Sequence, residues 1–258
     1  MPRISAFILT FNEERKIEEA IRSVAWADEV LVADSFSTDR TVEIAERLGA
    51  RVVQIPFEGF GKLRNDAVAG TRFEWIFSLD ADERCTAEVR DEIREVVARP
   101  GAADAYLVPR RNLFMGRWIR HSGWYPDYRQ PQLFRRGAVR FVEDKVHERY
   151  VVQGELGRLE NAIWQEPFKD LSEVIRKMDR YSSLGAERLS LKGTRPGMGK
   201  ALVHGLGAFV RHYVIRLGVL DGWPGFVIAL GNFEGTFYRY AKLAEAQRER
   251  DASLSRPS

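Results

Sequence analysis

Three features of the sequence predict an α/β fold with a mostly parallel sheet. Short apolar runs recur through about the first hundred residues, helix-period segments lie between them, and polar clusters stand where the runs end. Ile4 to Leu9 reads as a buried strand, after which Ile17, Ala20, Ile21 and Val24 recur at helical spacing. Val30 to Ala33 is a second strand, ending at Asp34. A helix is expected from near Ser37 or Thr38, with Val42, Ile44, Ala45 and Leu48 inside and Gly49 as its stop. Val52 to Ile55 is a third strand, and Gly59 and Gly61 turn the chain into a helix around Leu63 to Ala69. Trp75 to Leu79 is a fourth strand, followed by Asp80-Ala81-Asp82-Glu83 and a helix from about Thr86 to Val97. This alternation gives βαβ units and a sheet covered on both faces. Ligands of such sheets bind beyond the carboxyl ends of the strands. Thr10 to Glu13, Asp34-Ser35 and Asp80 to Glu83 all fall there.

From about residue 101 the pattern changes. Tyr106 to Pro109 and Gln132 to Arg135 read as further strands on either side of an aromatic and basic segment, Arg110 to Tyr128. After Pro167 the chain turns helical, and Leu171, Val174, Ile175, Met178, Tyr181 and Leu184 make one apolar stripe. Gly199 to Ala246 is apolar and aromatic, interrupted by Arg211, Arg216, Asp221-Gly222 and Pro224. The expected division is a catalytic domain over 1–165 and a helical C-terminal region over 166–258. With Lys200, Arg211, Arg216, Arg239 and Lys242 spaced among aromatics, that region suits a membrane interface; packing on the core or a dimer contact is the alternative.

With 45% hydrophobic and 30% charged residues, the 258-residue chain can build a core and is not disordered. A net charge of +3 from 40 basic and 37 acidic residues argues against a nucleic-acid partner. Cys85 is the single cysteine, so no intramolecular disulfide forms, which suits a reducing compartment. The N-terminus lacks the pattern of a signal peptide, and no long uncharged apolar run suggests a spanning helix. The expected location is the cytoplasm, peripheral at the inner face of the cytoplasmic membrane.

Asp80-Ala81-Asp82 carries the sharpest chemical signal. Two carboxylates one residue apart, with Glu83 beside them, can hold Mg²⁺ or Mn²⁺ through oxygen and so contact phosphates. The bland reading is an acidic turn that favours a helix N-terminus. Asp34 is placed to accept a hydrogen bond from a base or ribose, while Ser37 or Thr38 can cap the next helix. Lys62 and Arg64 can meet phosphates or the base, or simply form a solvated helix face. Glu143 to Arg149 can supply a general base, with His147 as a possible metal ligand; a charged edge strand is the alternative.

Several stretches together resemble family 2 glycosyltransferases with a GT-A fold, and within them the lipopolysaccharide core β-1,4-glucosyltransferase type (the WaaE-like group). These are Ser23 to Glu29, Asp34-Ser35 through Asp39-Arg40-Thr41, and Leu79 to Arg84. Arg110 to Phe114, Arg120-His121-Ser122-Gly123-Trp124-Tyr125-Pro126-Asp127, Val146-His147-Glu148 and Leu220-Asp221-Gly222 follow in the same order. The resemblance implies a UDP-sugar donor, commonly UDP-glucose, and an acceptor on lipopolysaccharide core or another glycolipid. Thr10, Asn12, Glu13, Asp34, Arg64 and Asp80 would bind the nucleotide, and Asp80 and Asp82 the metal. The reaction would invert the anomeric centre with one base, Glu148, with Asp144 as the alternative and His147 as a neighbour or ligand. Arg110 to Tyr128 would face the acceptor. Two positions depart from the family pattern: Phe36, where glycine often follows Asp-Ser, and Gln165, where histidine is often found. Another family 2 transferase acting on a polysaccharide or lipid carrier is the nearest alternative. A catalytically inactive nucleotide-binding scaffold is the non-enzyme alternative, and the carboxylates at Asp80, Asp82, Asp144 and Glu148 argue against it.

Overall fold

The computed structural model describes residues 1–143, 149–195 and 197–254, with side chains as far as residue 250. The elements run β1 (Ile4–Thr10), α1 (Ile17–Val24), β2 (Glu29–Asp34), α2 (Thr41–Arg47), β3 (Arg51–Gln54), α3 (Phe60–Gly70), β4 (Trp75–Asp80), β5 (Glu83–Arg84) and α4 (Ala87–Ala98). There follow β6 (Ala105–Leu107), β7 (Arg110–Phe114), β8 (Arg117–Trp118), β9 (Pro131–Arg135), β10 (Val139–Phe141), β11 (Tyr150–Val152), β12 (Leu156–Arg158) and β13 (Ile163–Gln165). The helices α5 (Leu171–Leu191), α6 (Met198–Val210) and α7 (Trp223–Leu254) complete the chain. A π-helical turn (Arg211–Ile215) and a 3-10 turn (Gly218–Asp221) lie between α6 and α7. The chain divides into two compact units: Met1–Arg111 with Pro126–Glu166, and Asn112–Tyr125 with the chain from Pro167 onward.

The first unit is built on a mixed, mostly parallel sheet in the order β12-β6-β9-β4-β1-β2-β3, with β9 antiparallel to β4 and β6. All seven residues of β1 are buried, because both faces of the sheet are covered. Ile4, Ala6 and Ile8 point to one side, where α1, α2 and α4 contribute Ile17, Ile21, Ile44, Val89 and Ile93. Phe7 and Leu9 point to the other, against Leu63 and Ala67 of α3. The helical period of residues 17–24 is realised as the buried stripe of α1. Thr86 caps α4, its Oγ1 accepting from Val89 N at 3.2 Å. The predicted start of α2 is corrected: the helix begins at Thr41, and neither Ser37 nor Thr38 caps it. Asp39 takes up the first turn instead, its Oδ1 accepting from Thr41 N at 2.9 Å.

The second unit packs α6 and α5 against α7 and is pinned at one point by Asp221, which is 1% exposed. Its carboxylate accepts from Arg120 N (3.1 Å), His121 N (3.1 Å) and Ser122 Oγ (3.0 Å), and lies 3.0 Å from His121 Nδ1. The surrounding turns are too close for side chains: a Cβ on Gly225 would stand 1.9 Å from Gly218 O. Replacing Asp221 by alanine leaves these donors without an acceptor, so a loss of about 3 kcal/mol in urea unfolding is expected. Asp221→Asn, which keeps one acceptor oxygen, should recover part of it. Among the described residues no helix is long and apolar enough to cross a membrane.

Candidate active site

The parallel register sets the site. Leu9 pairs with Asp80 and Thr10 with Asp34, so three strands deliver their last residues to one edge of the sheet. Beyond that edge lies a pocket of about 630 Å³, lined by Thr10, Glu13, Ser35, Asp80 and Asp82 and by the rings of Phe11, Phe57 and Phe60. Its volume is that of a small-molecule site. Among the described residues the buried hydroxyls of Thr10 and Ser35 have no hydrogen-bond partner. Phe11, Phe57 and Phe60 are exposed, and the last two meet edge-to-face with ring centroids 5.0 Å apart.

The three consecutive acids of the β4–β5 turn have separate surroundings. Asp80 accepts from Arg64 Nη2 through both oxygens, at 3.0 and 3.2 Å. Asp82 Oδ2 accepts from Gln165 Nε2 at 3.2 Å. Burial, and then the charges of Glu83 and Asp80, push the Asp82 carboxyl up to about 7. Glu83 turns away from the pocket and is fully buried. Its Oε1 lies 2.5 Å from Arg110 Nε, and its Oε2 accepts from Asp80 N at 2.9 Å and Gln132 Nε2 at 2.8 Å. Burial raises the Glu83 carboxyl and the Arg110 guanidinium opposes that rise; at this separation the pair is ionic. Glu83 therefore holds the turn rather than standing beside a cation. Arg110, 1% exposed in its side chain, is a core residue and does not face an acceptor.

Asn12, Asp34 and Arg64 are not among the pocket's lining residues. Arg64 stands behind Asp80, its Nη1 also donating to Ser78 Oγ at 3.3 Å. Asp34 is fully buried; its Oδ2 accepts from Ser37 N at 2.8 Å and its Oδ1 from the Ser37 hydroxyl. Asn12 adopts a left-handed backbone (φ 55°), its N donating to Ser37 Oγ and its Oδ1 accepting from Thr38 N, each at 2.8 Å. Ser37 and Thr38 thus join two loops across the strand ends, which is why they are not helix caps. Phe36 is also left-handed, at φ 60°. Glycine adopts that conformation at no steric cost, whereas phenylalanine carries about 1–2 kcal/mol of strain.

Asp144, His147 and Glu148 lie outside the described residues. The Asp34-Ser35 cluster at the end of the second strand pointed to Ser35, but the pattern along the chain did not point to Phe57, Phe60 or Gln132. An exposed aromatic pair at the head of α3 looks like core in sequence, and only the two adjacent glycines hint at a bend there.

Residues 5–150 match the family described as glycosyl transferase family 2. The chain belongs to glycosyl transferase family 2. A relative from Rickettsia bellii, described as an uncharacterized glycosyltransferase, is 32% identical over 94% of this chain and 86% of its own. LpsC of Rhizobium meliloti, described as a lipopolysaccharide core biosynthesis glycosyltransferase, is 29% identical over 99% of this chain and 95% of its own. Residues 1–349 of S. aureus TarS share the fold, with a TM-score of 0.51 and 18% identity over 96% of this chain and 91% of that one. The fold is therefore a GT-A α/β core followed by C-terminal helices, and the protein is a glycosyltransferase.

Proposed function

We propose that this family 2 glycosyltransferase moves glucose from UDP-glucose onto an inner-core sugar of lipopolysaccharide or a similar glycolipid, with inversion at the anomeric carbon. The observation that carries the reading is the pocket at the carboxyl ends of β1, β2 and β4. It places two carboxylates, Asp80 and Asp82, opposite aromatic rings and unpartnered hydroxyls. The near full-length similarity to LpsC supports the acceptor class. Thr10, Glu13 and Ser35 bind the nucleoside, with Phe11, Phe57 or Phe60 against the base. Asn12, Asp34 and Arg64 position these groups from behind.

Asp80 and Asp82 would hold the divalent cation, Mg²⁺ or Mn²⁺. The residues fit one: two carboxylates and the amide oxygen of Gln165, which is buried and without a partner, make an all-oxygen donor set. Such an ion would neutralise charge on the departing UDP. The acceptor hydroxyl attacks the anomeric carbon in line as Glu148 takes its proton and UDP leaves. Asp144 is the alternative base and His147 its neighbour or a ligand. A glycolipid acceptor puts the reaction at the inner face of the cytoplasmic membrane.

The test is release of UDP by the purified protein from UDP-glucose and from UDP-, GDP-, dTDP- and CMP-sugar competitors, with Mg²⁺ or Mn²⁺ and an EDTA control. Release from UDP-glucose that EDTA abolishes, rising on addition of lipopolysaccharide core, is the expected result. Binding of none of these donors overturns it. Glu148→Gln should bind UDP as the wild type does and lose transfer; if Asp144→Asn alone loses transfer, the base is Asp144.

A further inference from the structure

We propose that the outer face of α6 and of the turns after it is a docking surface for an anionic lipid bilayer. The idea deepens the glycolipid reading and rests on that reading for its purpose, but its physical basis is separate. Helix α6 is inverted relative to a helix that faces water. Its inward positions are small: Ala201 is fully buried, and a Cβ on Gly205 would stand 3.0 Å from the ring of Phe233 on α7. Its outward positions are large and apolar, for Leu202, Val203, Leu206 and Val210 are all exposed. Leu202, Leu206 and Val210 follow one another at steps of four and share a face. The patch continues past the helix, with Ile215 71% and Trp223 66% exposed. A water-facing helix carries polar residues there, and a contiguous apolar patch of this kind marks a contact surface.

Charge selects the partner. Between Glu187 and Asp221 the chain carries six lysines and arginines and no aspartate or glutamate. Lys200 and Arg211 are exposed on this stretch, and none of the six forms an ion pair among the described residues. A second copy of the chain would place the same basic patch against itself, with like charges opposed across a two-fold interface. An anionic bilayer answers both features. Aliphatic side chains enter the headgroup boundary, tryptophan sits at headgroup level, and lysine and arginine meet the lipid phosphates. With no helix of the described residues fit to span, this surface lies on the membrane.

The experiment is flotation of the full-length protein with vesicles of phosphatidylcholine alone, or of phosphatidylcholine with phosphatidylglycerol, at low and high salt. Binding is expected only where phosphatidylglycerol is present, and it should weaken with salt. Lys200→Ala and Arg211→Ala should each weaken it about fivefold, the equivalent of about 1 kcal/mol per cation. Leu206→Gln with Val210→Gln should abolish flotation while the thermal melt is unchanged, since neither side chain belongs to the core. Equal binding to both vesicle types, or to neither, overturns the proposal. So does a concentration-dependent dimer, seen by light scattering, that the same leucine and valine substitutions dissociate. UDP release without acceptor is measured in parallel. A wild-type protein that releases UDP but does not float counts against the surface alone, and one that floats but does not release UDP counts against the transferase reading alone.

Discussion

At pH 8 in EDTA, Asp82→Asn is expected to melt about 3–6 °C above the wild type while transferring sugar at least about a hundredfold more slowly once metal is restored. The stability gain follows from where the carboxylate sits. Asp82 is half-buried beside two other acids, and it accepts a hydrogen bond from the neutral amide of Gln165. Burial and then like charges push its carboxyl from 3.8 to about 7, so ionisation is harder in the folded chain than in the unfolded one. The unfolded chain therefore loses this proton first, and the destabilisation grows as pH rises from about 4 to about 7 and is complete above that. Asparagine keeps the shape, still meets Gln165 and carries no charge, so the variant gains roughly 1–2 kcal/mol at pH 8, after discounting for solvent screening, and nothing at pH 4. The loss of transfer follows from the proposed role: a neutral amide oxygen replaces one of the two carboxylates, so the proposed site loses a negative charge and would hold the cation and the donor diphosphate less tightly. Unchanged turnover with the higher melting point would remove Asp82 from the site. A lower melting point at pH 8 would mean that the carboxylate is satisfied by something other than its neighbours here.

How much of this was readable in advance depends on the range of the contact involved. Strands β1, β2, β3 and β4 and helices α1, α3 and α4 follow from local periodicity, because a covered parallel sheet demands continuous apolar runs. The position of Thr10, Asp80 and Asp82 at one pocket follows from the same rule, since strand ends in parallel register share an edge. The start of α2 did not, because Ser37 and Thr38 look like caps locally yet bond to Asn12, about 25 residues earlier. Glu83 is the clearest case. In sequence it extends the acidic cluster, but as the first residue of β5 it points inward, and its partners Arg110 and Gln132 come from elements that no local pattern links to it. The membership of Asn112–Tyr125 in the helical unit is of the same kind: Asp221, some hundred residues on, anchors it. Phe36 is legible in part, since the glycine expected there is the residue its positive φ calls for.

Arg110→Met is expected to lower stability by about 3–5 kcal/mol, the largest loss foreseen for any single side chain here. Glu83 would keep its charge in a site with no exposure and lose the guanidinium it is paired with. Glu83→Gln should cost a similar amount for the mirrored reason, a guanidinium left buried without its carboxylate. Removing both partners should cost far less than the two single losses together, because the burial penalty of each charge disappears with it. Urea unfolding of the four proteins in a double-mutant cycle measures this, with an unchanged slope showing that the unfolded reference is the same. A coupling energy near zero would mean that the pair is not ionic in the folded protein. The cycle also reaches function. Glu83 Oε2 accepts from the backbone of Asp80, so the pair fixes the turn from which Asp80 and Asp82 face the pocket. The double variant should therefore fold nearly as well as the wild type yet bind UDP-glucose more weakly. A clamp that served stability alone would leave donor affinity unmoved, and that difference separates a structural salt bridge from one that shapes the active site.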